Sequence, residues 1–269
     1  MPNKKSNFRL ALVLALTLAI AFSIFAIAQN YDKSWLDWLK KLFSYYKSGS
    51  ATGAFPITGA QVAGCVEPPS GLVSWWPGDG TADDVWDANS GTPVGITYTS
   101  GIVGSAFNCG GTSNSYISLL PTLYGKPEFT IDAWINPKDT SGIKMIYTEG
   151  HPQAILEFQV ANGRLNLQIY IGFWIGVNSN TILTPNTWYH VAGVWDGTNF
   201  KLYINGKLDN QAPGHIGTGF IATAANICRN PGVAAGQPAF AFVGSVDELE
   251  IYNRALSDAE IKAIHDAGS

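Results

Sequence analysis

Charge is what this chain has least of. Asp, Glu, Lys and Arg make up 13% of its 269 residues, well below the roughly 25% of an average soluble domain. The balance is a net charge of −4. No basic stripe is left to neutralise phosphates, so nucleic acid is not an expected partner. Histidine is scarce: His151, His190, His215 and His265 are all there is. No Gly-x-Ser-x-Gly elbow accompanies them, which removes the usual serine-nucleophile arrangement, and His190, inside an apolar run, reads as a structural residue. Cysteine is nearly missing. Cys65, Cys109 and Cys228 have no zinc-site spacing and no histidine beside them in a ligand pattern.

What is present starts with an apolar run. Lys4, Lys5 and Arg9 precede Leu10–Ala28, which is apolar except for Thr17 and Ser23. Ala26-Ile27-Ala28 offers small residues at both positions that a signal peptidase reads. At 19 residues the run is also just long enough to span a bilayer. Residues 1–28 are therefore expected to be a signal peptide or a membrane anchor, and either one exports the remainder. In an oxidising compartment three cysteines read as one disulfide and one remaining thiol, with three pairings open.

Residues 29–48 follow as an amphipathic helix. Trp35, Leu36, Trp38, Leu39, Leu42, Phe43 and Tyr46 recur at spacings of three and four, interleaved with Lys33, Lys40, Lys41 and Lys47. Such a face suits a membrane surface, a partner or the chain's own domain, and membrane contact through residues 1–47 is one expectation. Residues 49–70 lose all periodicity and read as a Gly/Pro/Ser linker.

From residue 71 to the end, short apolar or alternating runs repeat with turn signals between them. Leu72–Trp76, Ala106–Cys109, Tyr116–Leu119, Phe129–Ile135, Ile155–Val160, Arg164–Tyr170, Trp188–Val194, Phe200–Ile204 and Val243–Tyr252 read as strands. Asn162-Gly163, Asp196-Gly197 and Asn205-Gly206 supply the positive backbone angles of tight hairpins. In Phe129–Ile135 the odd positions share one face and Trp134 takes the other. In Phe200–Ile204 the even positions face inward, while Lys201 and Tyr203 face out. This is the pattern of antiparallel strands with one dry side, and it predicts an all-β, two-sheet antiparallel jelly-roll sandwich. Ser257 and Glu260 form a capping-box signature for one closing helix, with Ile261 and Ile264 toward the sandwich.

Six segments, in order, carry a family resemblance. They are Gly71–Gly80, Gly104–Phe107, Phe129–Ile135, Thr187–Ala192, Phe200–Gly206 and Val246–Ser257. Together they resemble the laminin-G-like, concanavalin A-like jelly rolls of bacterial exported proteins. The resemblance implies the sandwich fold and a calcium ion near its rim. Its ligands would come from the acidic first loop and the closing strand: Asp79, Asp84, Asn89 and Asp247. Loop Asp and Asn also cap turns with their own side chains, which is the alternative for Asp84 and Asn89. The chain departs from the family pattern where Cys109 and Cys228 replace residues common in relatives, and the simplest account of that departure is a Cys109–Cys228 bridge.

Within this fold the expected role is an extracellular binding or adhesion module recognising glycan or protein. Tyr170, Phe173 and Trp174 are candidates to stack on a sugar, although large aromatics are more often core. The chief alternative is a structural subunit assembled through the helix at 29–48. Glycoside hydrolysis is a distant third: the acidic run Asp247-Glu248-Leu249-Glu250 lacks the first glutamate of the glucanase strand, so no catalytic residue is expected. Oligomeric state is not legible.

Overall fold

A computed structural model describes residues 67–268, apart from 124, 151–153, 217–221 and 232–239. The expectations for residues 1–28 and 29–48, and for all but the end of the linker, lie outside the described residues, as does Cys65. Among the described residues no helix is long and apolar enough to cross a membrane.

Two antiparallel sheets face each other. The first holds β1 (Leu72–Trp76), β3 (Thr97–Ser100), β4 (Ser105–Gly110), β6 (Phe129–Pro137), β11 (Tyr189–Trp195), β12 (Asn199–Ile204), β13 (Lys207–Pro213) and β15 (Val243–Tyr252). The second holds β2 (Thr92–Val94), β5 (Tyr116–Leu119), β7 (Ile143–Gly150), β8 (Ala154–Ala161), β9 (Arg164–Tyr170), β10 (Trp174–Ile182) and β14 (Ala224–Ile227). Their orders are β13-β12-β11-β6-β15-β4-β3, with β1 on β15, and β10-β9-β8-β7-β14-β5-β2. Chain neighbours fall in different sheets at several points, which is the jelly-roll crossover pattern.

Period-two alternation sets the core. Phe129, Ile131, Ala133 and Ile135 of β6 point between the sheets with Val246, Leu249 and Ile251 of β15. Leu156, Phe158 and Val160 of β8 and Leu165, Leu167 and Ile169 of β9 meet them. Cys109 on β4 and Cys228, just past β14, form a disulfide through this core, with 6.1 Å between Cα atoms and 119 residues between them in sequence. It staples one sheet to the other, and closing so long a loop contributes on the order of 4 kcal/mol.

The closing helix α1 (Asp258–Ala267) has the expected capping box, with Ser257 Oγ accepting from Glu260 N and the Glu260 carboxylate accepting from Ser257 N. Ile261 and Ile264 bury against Ala192, Val194, Tyr203 and Tyr252 on the outer side of the first sheet. This corrects one expectation. Tyr203 does alternate away from the core, but it is buried beneath α1 and its hydroxyl donates to Asp258 at 2.7 Å. The helix gives the first sheet a second dry face, which alternation within a strand cannot announce.

Candidate functional site

Among the described residues, the second sheet has no such cover at its β9–β10 end. Tyr170 and Trp174 stand directly opposite each other across that hairpin, while Ile169 and Ile175, also paired, alternate toward the core. The two aromatic rings meet edge to face, 5.3 Å between centroids. Both are 44% exposed, and Phe173 at the turn is 63% exposed. Gly172 permits the turn: its φ is 100° and nothing lies within 4 Å of where a Cβ would stand. The three aromatics that could have been core thus sit at the surface together.

Beside them on the same face lies a ladder of amides and one carboxylate. Gln168, two residues from Tyr170, donates to Glu157 on β8 at 2.6 Å. Farther along, Gln159 donates to Asn166 at 2.9 Å and Asn166 donates to Asn178 at 3.0 Å. Gln159 Oε1 is buried with no partner. Burial raises the Glu157 pKa, and the Gln168 hydrogen bond offsets part of that rise. The register continues through Thr148, Asn226 and Ser118. Thr148 donates to the Arg229 carbonyl at 2.9 Å, so the chain crosses this row at its middle. What stays open is the aromatic end, an exposed pair of rings set edge to face next to oxygen acceptors.

The first sheet concentrates carboxylates instead, but closes over them. A bulge between Asp247 and Glu250 of β15, with Glu248 at φ 49°, turns the acids of this strand to the outer side together. Glu248 accepts from Trp75 Nε1 at 2.5 Å, and Glu250 accepts from the Tyr252 hydroxyl. Burial raises the pKa of both to about 8, helped at Glu250 by Asp132 across the strand pair. Asp132 in turn holds His190 Nε2 at 3.0 Å, both residues buried, while His190 Nδ1 has no partner. Glu248 and Glu250 are buried and bonded to their neighbours. A carboxylate pair across a sugar has to be open to it.

The four expected calcium ligands divide. Among the described residues no three His, Cys, Asp or Glu side chains form a group that could hold a metal. Asp79, Asp84 and Asp247 therefore do not converge as one set. Asn89 is engaged at both ends of its amide: it donates to the Leu120 carbonyl at 3.1 Å and accepts from Leu120 N at 3.2 Å. Asp84 Oδ1 accepts backbone N–H groups from Trp75, Trp86 and Asp87 at 3.0–3.1 Å. Those two residues organise the loop between β1 and β2. Asp79 and Asp247 belong elsewhere, on either side of the Gly101–Ser105 turn. Asp247 accepts from Ile102 N at 2.7 Å and Val103 N at 3.2 Å, and Asp79 accepts from Ser105 N at 2.7 Å. At Gly104 (φ 54°) a side chain would be strained and would displace the Asp79 carboxylate, since a Cβ would stand 2.2 Å from it. Burial first, and Asp79 among the lesser causes, pushes the Asp247 pKa up to about 6, and its Oδ1 is buried without a partner. Two carboxylates with an unsatisfied buried oxygen fit part of a calcium shell, which takes six to eight oxygens and accepts backbone carbonyls.

One buried carboxylate escaped the sequence reading. Glu149 of β7 faces the core and accepts from the Tyr147 hydroxyl at 2.6 Å, Thr122 N at 2.7 Å and Leu123 N at 2.9 Å. It fastens the chain leaving β5. No motif marks it; only its place in an apolar run could have.

A sequence model of the concanavalin A-like lectin/glucanases superfamily matches residues 110–262, more than half of the chain. No curated protein matches the sequence. Among similar solved structures is domain 4 of an extracellular GH43 arabinanase from Geobacillus stearothermophilus, in complex with arabinotriose. It is 22% identical with a TM-score of 0.61, over 72% of this chain and 98% of that one. The binding domain of Paraclostridial Mosquitocidal Protein 1 is 17% identical with a TM-score of 0.59, over 72% of this chain and 52% of that one. A botulinum neurotoxin type C structure, whose cell entry depends on two ganglioside molecules, is 12% identical with a TM-score of 0.60, over 74% of this chain and 51% of that one. The chain thus spans about half of each toxin structure. At these identities the likeness is one of fold.

Proposed function

The chain belongs to the concanavalin A-like lectin/glucanase superfamily, and from that membership we propose that its sandwich is an extracytoplasmic binding module that holds a glycan on the β9–β10 platform of the second sheet. The observation that carries this reading is the exposed Tyr170–Trp174 pair on the face that also bears Gln168 and Glu157. Aromatic faces stack on the apolar side of a sugar ring, and the neighbouring oxygens accept its hydroxyl protons. Binding rather than catalysis agrees with the buried state of Glu248 and Glu250. The names of similar structures point the same way, one including arabinotriose and another gangliosides. An exported location agrees with the apolar leader read in residues 1–28 and with the extracellular origin of the arabinanase domain.

Calcium is proposed as a structural ion at Asp79 and Asp247. There it would offset the repulsion of two carboxylates pressed on one turn and satisfy the unpartnered Asp247 oxygen. Asp84 and Asn89 are left out of that site because Asp84 Oδ1 and the Asn89 amide hold the loop backbone and Leu120, apart from the Gly101–Ser105 turn; Asp84 Oδ2, like Asp247 Oδ1, is buried without a partner.

A glycan array probed with the full chain tests the main reading. Binding is expected, and it is expected to fall at least about tenfold in the Tyr170→Ala/Trp174→Ala double variant, which is the order of a lost aromatic anchor. Undiminished glycan binding by that variant would move the site elsewhere.

A further inference from the structure

A second exposed tryptophan, Trp86, belongs to the loop between β1 and β2, which Val85 N and Asp84 Oδ1 tie to Trp75 of the first sheet and Asn89 ties to Leu120 of the second. Register places Leu120. Leu119 is opposite Ala225, Ala224 opposite Gly150, Gly150 opposite Ala154, and Leu156 opposite Ile169. Leu120, Tyr170 and Trp174 therefore all stand at one end of the sheet. Leu120 continues the alternation of β5 onto the outer side and is 69% exposed. Asn89 grips its backbone, and Asn89 belongs to the loop that carries Val85 and Trp86, the latter 54% exposed. That loop is held firmly. The Asp84 carboxylate takes three backbone N–H groups, Ser90 Oγ accepts from Asp84 N, and Trp76 Nε1 donates to the Asn89 carbonyl. Polar side chains thus hold a large aromatic out in solvent, where it gains nothing from the core.

We infer that Trp86, with Val85 and Leu120, is a second anchor for the ligand of the aromatic hairpin, and that this ligand is a long, neutral, linear polysaccharide. The inference rests on the glycan reading of Tyr170 and Trp174. Five strand spacings separate β10 from β5, or roughly 24 Å, more than a short oligosaccharide reaches. Among the described residues, acids lie beside the two anchors: Asp83 and Asp87, both exposed, flank Trp86, and Glu157 lies behind the hairpin. Acids there repel uronic or sialic groups and accept from hydroxyls. Two anchors on one chain raise its affinity through effective concentration, with no change in either contact.

The test is a titration of the full chain with soluble arabinan, xylan and mixed-linkage glucan. Their trisaccharides and polygalacturonate are titrated in parallel, each also against Trp86→Ala and Leu120→Ser. A neutral polymer is expected to bind at least about tenfold more tightly than its trisaccharide. Trp86→Ala should remove that advantage and leave the trisaccharide affinity and the melting temperature unchanged. Leu120→Ser should repeat the effect in smaller measure. Polymer affinity indifferent to Trp86→Ala, a loss shared equally by trisaccharide and polymer, or preference for polygalacturonate would each overturn the second anchor while leaving the hairpin site standing. Failure of every polysaccharide to bind would overturn both.

Discussion

The two sheets of this sandwich share one core and treat their outer faces in opposite ways. The first is sealed. Helix α1 lays Ile261 and Ile264 over it, and beneath and beside that seal lie Asp132, His190, Glu250 and Tyr252. The second sheet carries amides and a carboxylate on its outer side and leaves Tyr170, Phe173 and Trp174 in solvent at one end. Polarity alone points to the first sheet, which holds more acids, whereas access points to the second. What separates a site from a structural cluster is access. The acids of β15 are buried and bonded within the fold, whereas the rings of the hairpin have nothing to do in the core.

The disulfide is where the comparison can be broken most forcefully, because Cys109 and Cys228 belong to different sheets. Replacing both by Ala is expected to cost on the order of 4 kcal/mol. The loss should be global: one cooperative denaturant transition at a lower midpoint. Two separated transitions would mean that the sheets are independent units and that the contrast between them is a contrast between domains.

A pH series reads the sealed sheet specifically. Asp247 has its pKa raised from 3.8 to about 6, and Glu248 and Glu250 from 4.5 to about 8, all chiefly by burial. Carboxyls with raised folded pKa values bind more protons folded than unfolded through this range, so stability falls as pH climbs from about 5 to about 8. Asp247 alone, displaced by about two pH units, is worth about 3 kcal/mol. In chelator the melting temperature should therefore drop steadily over that interval, and added calcium should flatten the slope by holding Asp247 ionised. A stability profile that is flat in chelator would show that these acids are not held as described. A slope unchanged by calcium would remove the ion from Asp79 and Asp247.

This difference between the sheets was only half legible in sequence. Strands with clean alternation, such as Phe129–Ile135 and Phe200–Ile204, were readable to within two residues of their ends, and the Ser257–Glu260 cap to the residue. The strands not foreseen have physical reasons. In β7, Met145–Gly150 is buried on both sides and shows no alternation. β10 mixes Gly176, Asn178 and Asn180 with few apolar residues, because its outer side is polar and it lies at the sheet edge. β2 and β3 are short and mostly exposed, and β14 is a four-residue strand. The Glu248 bulge broke the period-two rule at the residues where a metal or an active site had been weighed. At Asp84 and Asn89 the residue types suit calcium and turn capping equally, and the positions of Trp86 N and the Leu120 backbone show that both residues cap, while Asp84 Oδ2 stays without a partner.

The smallest expected effect on stability is the most telling for the open sheet. Tyr170 and Trp174 each keep almost half their surface in water, and besides Ile171 N bonding to the Phe173 carbonyl at 3.0 Å the hairpin is fixed by the β9–β10 ladder. Their rings therefore contribute only part of a buried aromatic's share to folding. Replacing either by Ala should cost about 1–2 kcal/mol, from the half-buried ring area and the lost ring pair. The same variants should lose glycan binding. A drop of several kcal/mol at Tyr170 or Trp174 would mean that the rings close a core extending past the sheet end, and the second sheet would then be as sealed as the first. A loss of stability this small together with lost binding is the signature of residues kept for a ligand, because burial within the fold cannot alone account for their presence.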